Sequence, residues 1–249
     1  MNARFYAPDV QAVGDVAALP DDEARHLTRV LRLKAGDAVR VFNGRGGEFE
    51  GVIASVGRKT VEVRAAEARE AAREARVAMT LALAVLKGDK MDDVVRDAVM
   101  IGVAAIQPII TTRTEVTRAA LERGKRTERW RRVAVSSAKQ CGRAVVPAIL
   151  EPLSFEMLVQ TIAAVRLHGP ALMLVEPGAS PGTIALGDLD PAVPREATLV
   201  IGPEGGWAAE EIHAVAGLCR LLTLGGRTIR ADAMAVVAIA ALFARWGEF

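Results

Sequence analysis

An α/β protein with a mainly parallel sheet, preceded by a smaller β-rich unit, is the architecture this 249-residue sequence predicts. Three observations carry the prediction. Short apolar runs (MTLALAVL, AAIQPII, VVPAIL, ALMLVE, TLVIG and RLLTLG) recur between residues 79 and 225, and such runs without polar alternation suit strands buried on both faces. Helical stretches such as MDDVVRDAVMIG and AEEIHAVAGLC separate most of them, the alternation that builds βαβ units. Before residue 65, apolar and polar residues instead alternate, as in strands with one wet face.

The elements follow in order. DDEARHLTRVLRLKAGD places Leu27, Val30 and Leu31 at helical spacing with Arg25, Arg29 and Arg32 between them, and Gly36 reads as the stop. DAVRVFNGRGGEFEGVIASVGRKTVEVR reads as a hairpin turning at Asn43 to Gly47. AAEAREAAREAR, residues 65–76, holds nothing large and apolar and reads as a linker. It divides the chain into domains of residues 1–70 and 77–249. The last helix, DAMAVVAIAALFARW, is apolar nearly all round, so it needs cover on more than one side, inside the domain or against a second subunit. A homodimer is the simpler expectation.

Composition narrows the function. Half the residues are apolar, which suits a globular protein. No charged-then-apolar opening with a cleavage site is evident, and the uncharged run Ala233 to Ala244 is shorter than the ~20 residues of a membrane span. The expectation is a soluble cytoplasmic protein without a membrane segment. Cys141 and Cys219 lack CxxC spacing and read as small buried residues, and His26, His168 and His213 are scattered without triad or metal spacing. No metal is expected. The net charge of +2 conceals an asymmetry: residues 113–143 carry ten Lys or Arg against three Asp or Glu, while residues 144–249 carry six against eleven. A basic segment of this kind favours a polyanion such as RNA, since each phosphate contact releases counterions, although a solvated helix face has the same composition.

VIGPEGG (200–206) raises the sharpest question, because a buried strand runs directly into a Gly-Pro-Glu-Gly-Gly bend before a helix. Ligands of open parallel sheets bind at the carboxyl ends of strands, and glycines let the main chain approach them closely. Neither a Walker loop nor a G-x-G-x-x-G fingerprint is present. Two further bent loops, LVEPGASPG and TLGGRTIRADAMA, leave the strands at 171–176 and 220–225. Three such loops suggest a shared pocket; a tight strand-to-helix turn is the competing reading of each alone.

IGPEGGWAAEE followed by LGGRTIRADAMA closely resembles the paired C-terminal motifs of the RsmE-type 16S rRNA (uracil-N3) methyltransferases of the SPOUT superfamily, roughly IGPEGGF-x-x-x-E then LG-x-R-I-L-R-x-E-T-A. RHLTRVLRLKAGD with the glycine-rich hairpin resembles the family's N-terminal PUA-like domain, KGDKMDDVVRDAVMIGVAAIQPIITTRT its first βα unit, and KQCGRAVVP its Q-S-x-R-x-x-x-P stretch. The likeness spans nearly the whole chain. It implies a PUA-like RNA-binding barrel, then a SPOUT α/β domain with a C-terminal trefoil knot, S-adenosylmethionine as cofactor, a homodimer, and 16S rRNA of the small ribosomal subunit as substrate. Departures are Met100 for Glu, Cys141 for Ser, Ala231 for Thr, Asp232 for Glu and Ala233 for Thr; the last three adjoin the cofactor loop and bear on cofactor affinity.

On that resemblance, the cofactor candidates are Gly202, Pro203, Glu204, Gly205 and Gly206, with Leu222, Leu224 and Gly225 of the last loop and Glu176 and Pro177 of the first. Leu174, Ile201 and Ile229 would supply apolar walls. Methylation at uracil N3 requires loss of a weakly acidic proton, and negative charge spreads onto the uracil oxygens. Arg230 is the candidate for stabilising it, because a guanidinium stays cationic and presents forked donors; pairing with Asp232 or Glu204 is its structural alternative. Glu204 is the second catalytic candidate, as proton acceptor or electrostatic group. Arg25, His26, Arg29, Arg32, Arg113 and Arg143 are the RNA candidates. A related knotted enzyme acting on another RNA target, such as a ribose hydroxyl, and a noncatalytic RNA-binding homologue remain as alternatives.

Overall fold

The computed structural model describes residues 2–58, 60–165 and 169–249, which fall into two units, Met1–Glu74 with Val135–Val146, and Ala75–Ala134 with Pro147–Phe249. His168 lies outside the described residues.

In the first unit, strands β1 (Ala3–Tyr6), β2 (Val16–Ala18), β3 (Ala38–Phe42), β4 (Glu48–Val56) and β5 (Val61–Arg69) form one sheet in the order β1-β3-β4-β5-β2. The alternation read from the sequence becomes an inward row: Phe5, Val39, Val41, Phe49, Ile53, Val61 and Val63 share one core. The β3–β4 hairpin turns where expected. Asn43 holds it, its side-chain oxygen accepting the N–H groups of Arg45 and Gly47 at 2.8 and 3.0 Å. Two expectations fail here. Residues 65–69 are not linker but the end of β5, paired with β4 through Ala68↔Phe49 and Arg69↔Glu48; ladder hydrogen bonds need no large side chain. The helix does not reach Gly36 either. It runs as α1 (Asp21–Arg25), continues as a π-helical turn over His26–Leu31, and stops at Arg32, which adopts the left-handed conformation at φ 55°. The segment Val135–Val146 is fastened to this sheet by Arg4, whose guanidinium pairs with Glu48 and donates to the carbonyls of Ala138 and Arg143.

The second unit is the predicted βα alternation. Along the chain come β6 (Ala78–Ala84), α2 (Lys90–Ile101), β7 (Ala105–Ile110), α3 (Arg118–Arg123), α4 (Arg126–Cys141), β8 (Ala148–Ile149), β9 (Leu153–Ser154) and α5 (Phe155–Val165). Then follow β10 (Ala171–Leu174), β11 (Ile184–Ala185), β12 (Glu196–Ile201), α6 (Ala209–Ala214), β13 (Arg220–Thr223) and α7 (Ala231–Arg245). The last residues of α4, from Val135, belong to the first unit. Every pairing in this sheet is parallel, in the order β11-β13-β10-β12-β6-β7-β8 with β9 also on β7. Because β13 enters between β10 and β11, the connection joining those two strands has to bridge across it.

One face of the sheet buries Met173 and Val200 with Phe155 and Ile162 of α5 and Val215 beyond α6. Elsewhere α7 packs on α2, burying Ala235, Ala238, Ile239, Leu242 and Phe243, while Ala233, Val237 and Ala244 stay exposed. With Ala231, six of the fifteen residues of this helix are thus covered within the chain. Cys141 is exposed and Cys219 partly so, against the expectation of two buried thiols. Among the described residues no helix is long and apolar enough to cross a membrane.

Candidate functional site

The loops leaving β10, β12 and β13 converge on one cavity of about 220 Å³. Leu174, Glu176 and Pro177 line it from the first loop and Ile201, Gly202, Pro203, Glu204 and Gly206 from the second. The third contributes Ile229 and Arg230. Of the predicted cofactor residues, Gly205, Leu222, Leu224 and Gly225 do not line it. Leu222 is fully buried in β13, and its carbonyl accepts the Val175 N–H at 2.9 Å, so it braces the start of the first loop. Gly225 is exposed at φ 74°, a conformation that costs a residue with a Cβ.

Sequence reasoning passed over Val175, Trp207, Thr223, Arg227, Thr228 and Met234, which with Ala231 complete the lining. Trp207 is the most consequential. Its buried indole N–H donates to the Leu174 carbonyl at 2.7 Å, linking the loops after β10 and β12, and its ring leaves no room for a side chain at Gly202: a Cβ there would lie 2.9 Å away. The aromatic position in the GPEGG motif was visible, yet a tryptophan before a helix reads as ordinary core. Glu211, at the acidic position of the same motif, is buried and caps two chain segments, accepting the N–H groups of Thr112 at 2.8 Å and Ala208 at 3.0 Å.

Two charged groups of the site, Glu204 and Arg230, are paired. Glu204 meets the Lys90 ammonium at 2.9 Å and the Lys87 N–H at 3.4 Å. Partial burial opposes its charge, but the Lys90 hydrogen bond and charge, with the nearby backbone N–H groups, outweigh that and hold its carboxyl below the usual value. Glu204 is therefore an anion at neutral pH and a weak proton acceptor. Arg230 caps the start of α7 and forms an ion pair with Asp232 at 2.9 Å, leaving 72% of its side chain exposed. Arg113 donates to the Gly205 carbonyl at 2.9 Å, so this RNA candidate stands on the GPEGG loop itself.

The other RNA candidates separate. Arg25, His26, Arg29 and Arg32 all lie exposed along one short helical segment of the first unit, able to meet phosphate. Arg143 does not fit an RNA contact. It is buried, and its guanidinium is held by the Glu74 carboxylate at 3.0 Å, a structural partner in place of solvent. Much of the basic segment is similarly neutralised: Arg129 pairs with Asp89 and Asp92, Arg131 with Glu151, Arg118 with Glu122 and Lys139 with Glu23. Arg123, Lys125 and Arg132 remain exposed.

Comparison with known proteins gives concordant results. The family described as the RNA methyltransferase domain matches residues 73–243, and the RNA methyltransferase PUA domain matches residues 19–65. The chain is 31% identical over 246 residues to the ribosomal RNA small subunit methyltransferase E of Synechocystis sp., covering 96% of this chain and 77% of that protein. A Legionella pneumophila protein solved with bound S-adenosylmethionine superposes with a TM-score of 0.88 at 31% identity, covering 98% of both chains. The ribosomal RNA small subunit methyltransferase E of Neisseria gonorrhoeae, also bound to S-adenosylmethionine, gives 0.85 at 28% identity over 99% of this chain and 98% of that one.

Proposed function

This chain belongs to the RNA methyltransferase family, and from that membership we propose that it transfers a methyl group from S-adenosylmethionine to N3 of a uridine in 16S rRNA of the small ribosomal subunit. The observation that carries the reading is the cavity where the loops after β10, β12 and β13 meet, with Arg230 at its edge. The residues present fit a nucleoside donor: apolar walls come from Leu174, Ile201 and Ile229, and the GPEGG loop lines the cavity at Gly202 and Gly206. At about 220 Å³ the cavity is smaller than the ~300 Å³ at which small-molecule pockets usually begin, so a donor of that size would also extend into the mouth beside the exposed residues 225–228.

S-adenosylmethionine, when bound, supplies an electrophilic methyl group on a cationic sulfur. The chain's residues do the rest. The glycine-bent loops fix the orientation between donor and base, a large part of what catalysis of a bimolecular transfer requires. Arg230 meets the negative charge that develops on the uracil oxygens as N3 loses its proton. To do so it exchanges its contact with Asp232, a weak link at such exposure. Glu204, held ionised by Lys90, acts through charge rather than by taking the proton. In the first unit, Arg25, Arg29 and Arg32 engage phosphates, which position the RNA without choosing the base.

A trefoil knot is supported by the entry of β13 between β10 and β11. A homodimer is supported by the apolar, small-residue face that α7 leaves exposed at Ala233, Val237 and Ala244. The homologues' substrate also implies residence in the cytoplasm, where ribosomal subunits are. The deciding experiment is labelled-methyl transfer to small subunits from a strain lacking the modification, followed by mass spectrometry of the nucleosides. N3-methyluridine is expected. A ribose-methylated product, or none with cofactor bound, would replace this reading by one of its alternatives.

A further inference from the structure

Lys90 is the first residue of α2, a position where the free N–H groups of a helix carry partial positive charge and a cation is disfavoured. It does not serve its own helix. Asp89 and Asp92 beside it are taken by Arg129, while the Lys90 ammonium reaches to Glu204, far along the chain, at 2.9 Å. The neighbouring Lys87 directs its backbone N–H at the same carboxylate oxygen and its own ammonium to Glu115. The remaining charges near Glu204 are otherwise placed: Arg113 is bonded to the Gly205 carbonyl, Arg230 to Asp232, and Glu176 and Arg227 line the cavity with it. Among the described residues, Lys90 is the one side chain that forms an ion pair with Glu204.

We propose that Lys90 is a positioning residue for the methyl donor, holding the Glu204 carboxylate in place as an anion on the cavity wall so that a cationic sulfonium is favoured there down to acidic pH. The inference rests on S-adenosylmethionine being the donor. Its sign follows from the two opposing influences on Glu204. Burial disfavours the charged form, and the Lys90 ammonium overrides it together with the backbone N–H groups of Lys87 and Glu204; without Lys90 the folded pKa rises. A carboxylate attracts a sulfonium above its pKa and loses that attraction as pH falls through it. Raising the pKa therefore moves the loss to higher pH.

Titration calorimetry across acidic and neutral pH tests this with S-adenosylmethionine and, as a ligand with an uncharged sulfur, S-adenosylhomocysteine. Lys90→Met is expected to shift the acid-side loss of S-adenosylmethionine affinity upward by about one pH unit, with no such shift for S-adenosylhomocysteine. Lys90→Arg should restore the original profile. Glu204→Gln, which preserves shape, should remove the pH dependence in the presence or absence of Lys90, and the ligand-free melting temperature reports whether each variant is folded. Superimposable profiles for the Lys90→Met and unaltered proteins would overturn the inference, as would an equal shift for both ligands. If the unaltered protein binds no S-adenosylmethionine at all, the donor assignment falls, and this inference with it.

Discussion

Gly202→Ala should damage the site more than its single added carbon suggests. The new methyl would sit 2.9 Å from the nearest carbon of the Trp207 ring, closer than such atoms approach, and a tight 3.1 Å from its Nε1. Trp207 cannot yield cheaply. It is 8% exposed, packs on Phe155 at 5.3 Å between ring centroids, and donates its N–H to the Leu174 carbonyl. Overpacking costs about 1–3 kcal/mol, and stranding the indole N–H or its acceptor adds about 1–3 kcal/mol. A combined loss of about 2–6 kcal/mol corresponds to a fall in melting temperature of roughly 4–24 °C for a chain of this size. Because Leu174, Gly202 and Trp207 all line the same cavity, cofactor affinity should fall at least tenfold in the folded protein, measured by calorimetry below the transition. Gly187→Ala, away from this cavity, is the control. No atom lies within 4 Å of its added carbon and its φ is outside the left-handed region, so stability and affinity should remain those of the parent. Unchanged cofactor binding by folded Gly202→Ala would refute the packing argument.

Arg230→Ala should lower turnover by about 10²- to 10³-fold while leaving cofactor affinity near that of the parent, and lysine should rescue poorly; loss of cofactor binding with normal turnover per bound cofactor would make Arg230 a structural brace. Arg132→Ala should reduce the salt slope of RNA binding by about one, measured by fluorescence anisotropy across salt concentrations. Arg129→Ala, already paired with Asp89 and Asp92, should leave that slope unchanged, and equal effects of the two would show that the ion pairs do not withdraw Arg129 from RNA. Val237→Glu places a charge on the exposed face of α7 and should convert a dimer to a monomer in light scattering; an intact dimer would move the interface elsewhere.

The parallel sheet was legible because its strands are mostly apolar, and that pattern survives without knowledge of partners: β7, β10 and β13 lie within the runs read from the sequence, and β6 and β12 overlap theirs but begin one and two residues earlier. The three bent loops were legible for a related reason, since Gly and Pro mark where a strand's end must do something other than continue. What escaped depends on residues distant in the chain. Lys90 meets Glu204 across 114 positions, and Glu211 holds Thr112 across 99; neither spacing leaves a periodic trace. Composition also misled where backbone pairing rules. The alanine-rich end of β5 lacks bulky side chains but has a partner strand, and its Ala65 faces the core at 1% exposure. Arg143 was read from its motif as an RNA ligand, but charge in a sequence carries no record of burial.

The position of β13 between β10 and β11 bears on how the protein is made. Both neighbours leave the ribosome before Arg220 does, so this edge of the sheet cannot be completed by adding strands in the order of synthesis. The earlier segments must wait, loosely held, until the later one has emerged and found its way between them. Such long-range assembly is slow compared with adding a strand at a free edge. A bulky domain fused after Phe249 would have to be drawn along if the later segment threads from its far end, whereas a fusion before Met1 would not. Refolding rates of the two fusions, compared after full denaturation, would reveal the route the chain takes.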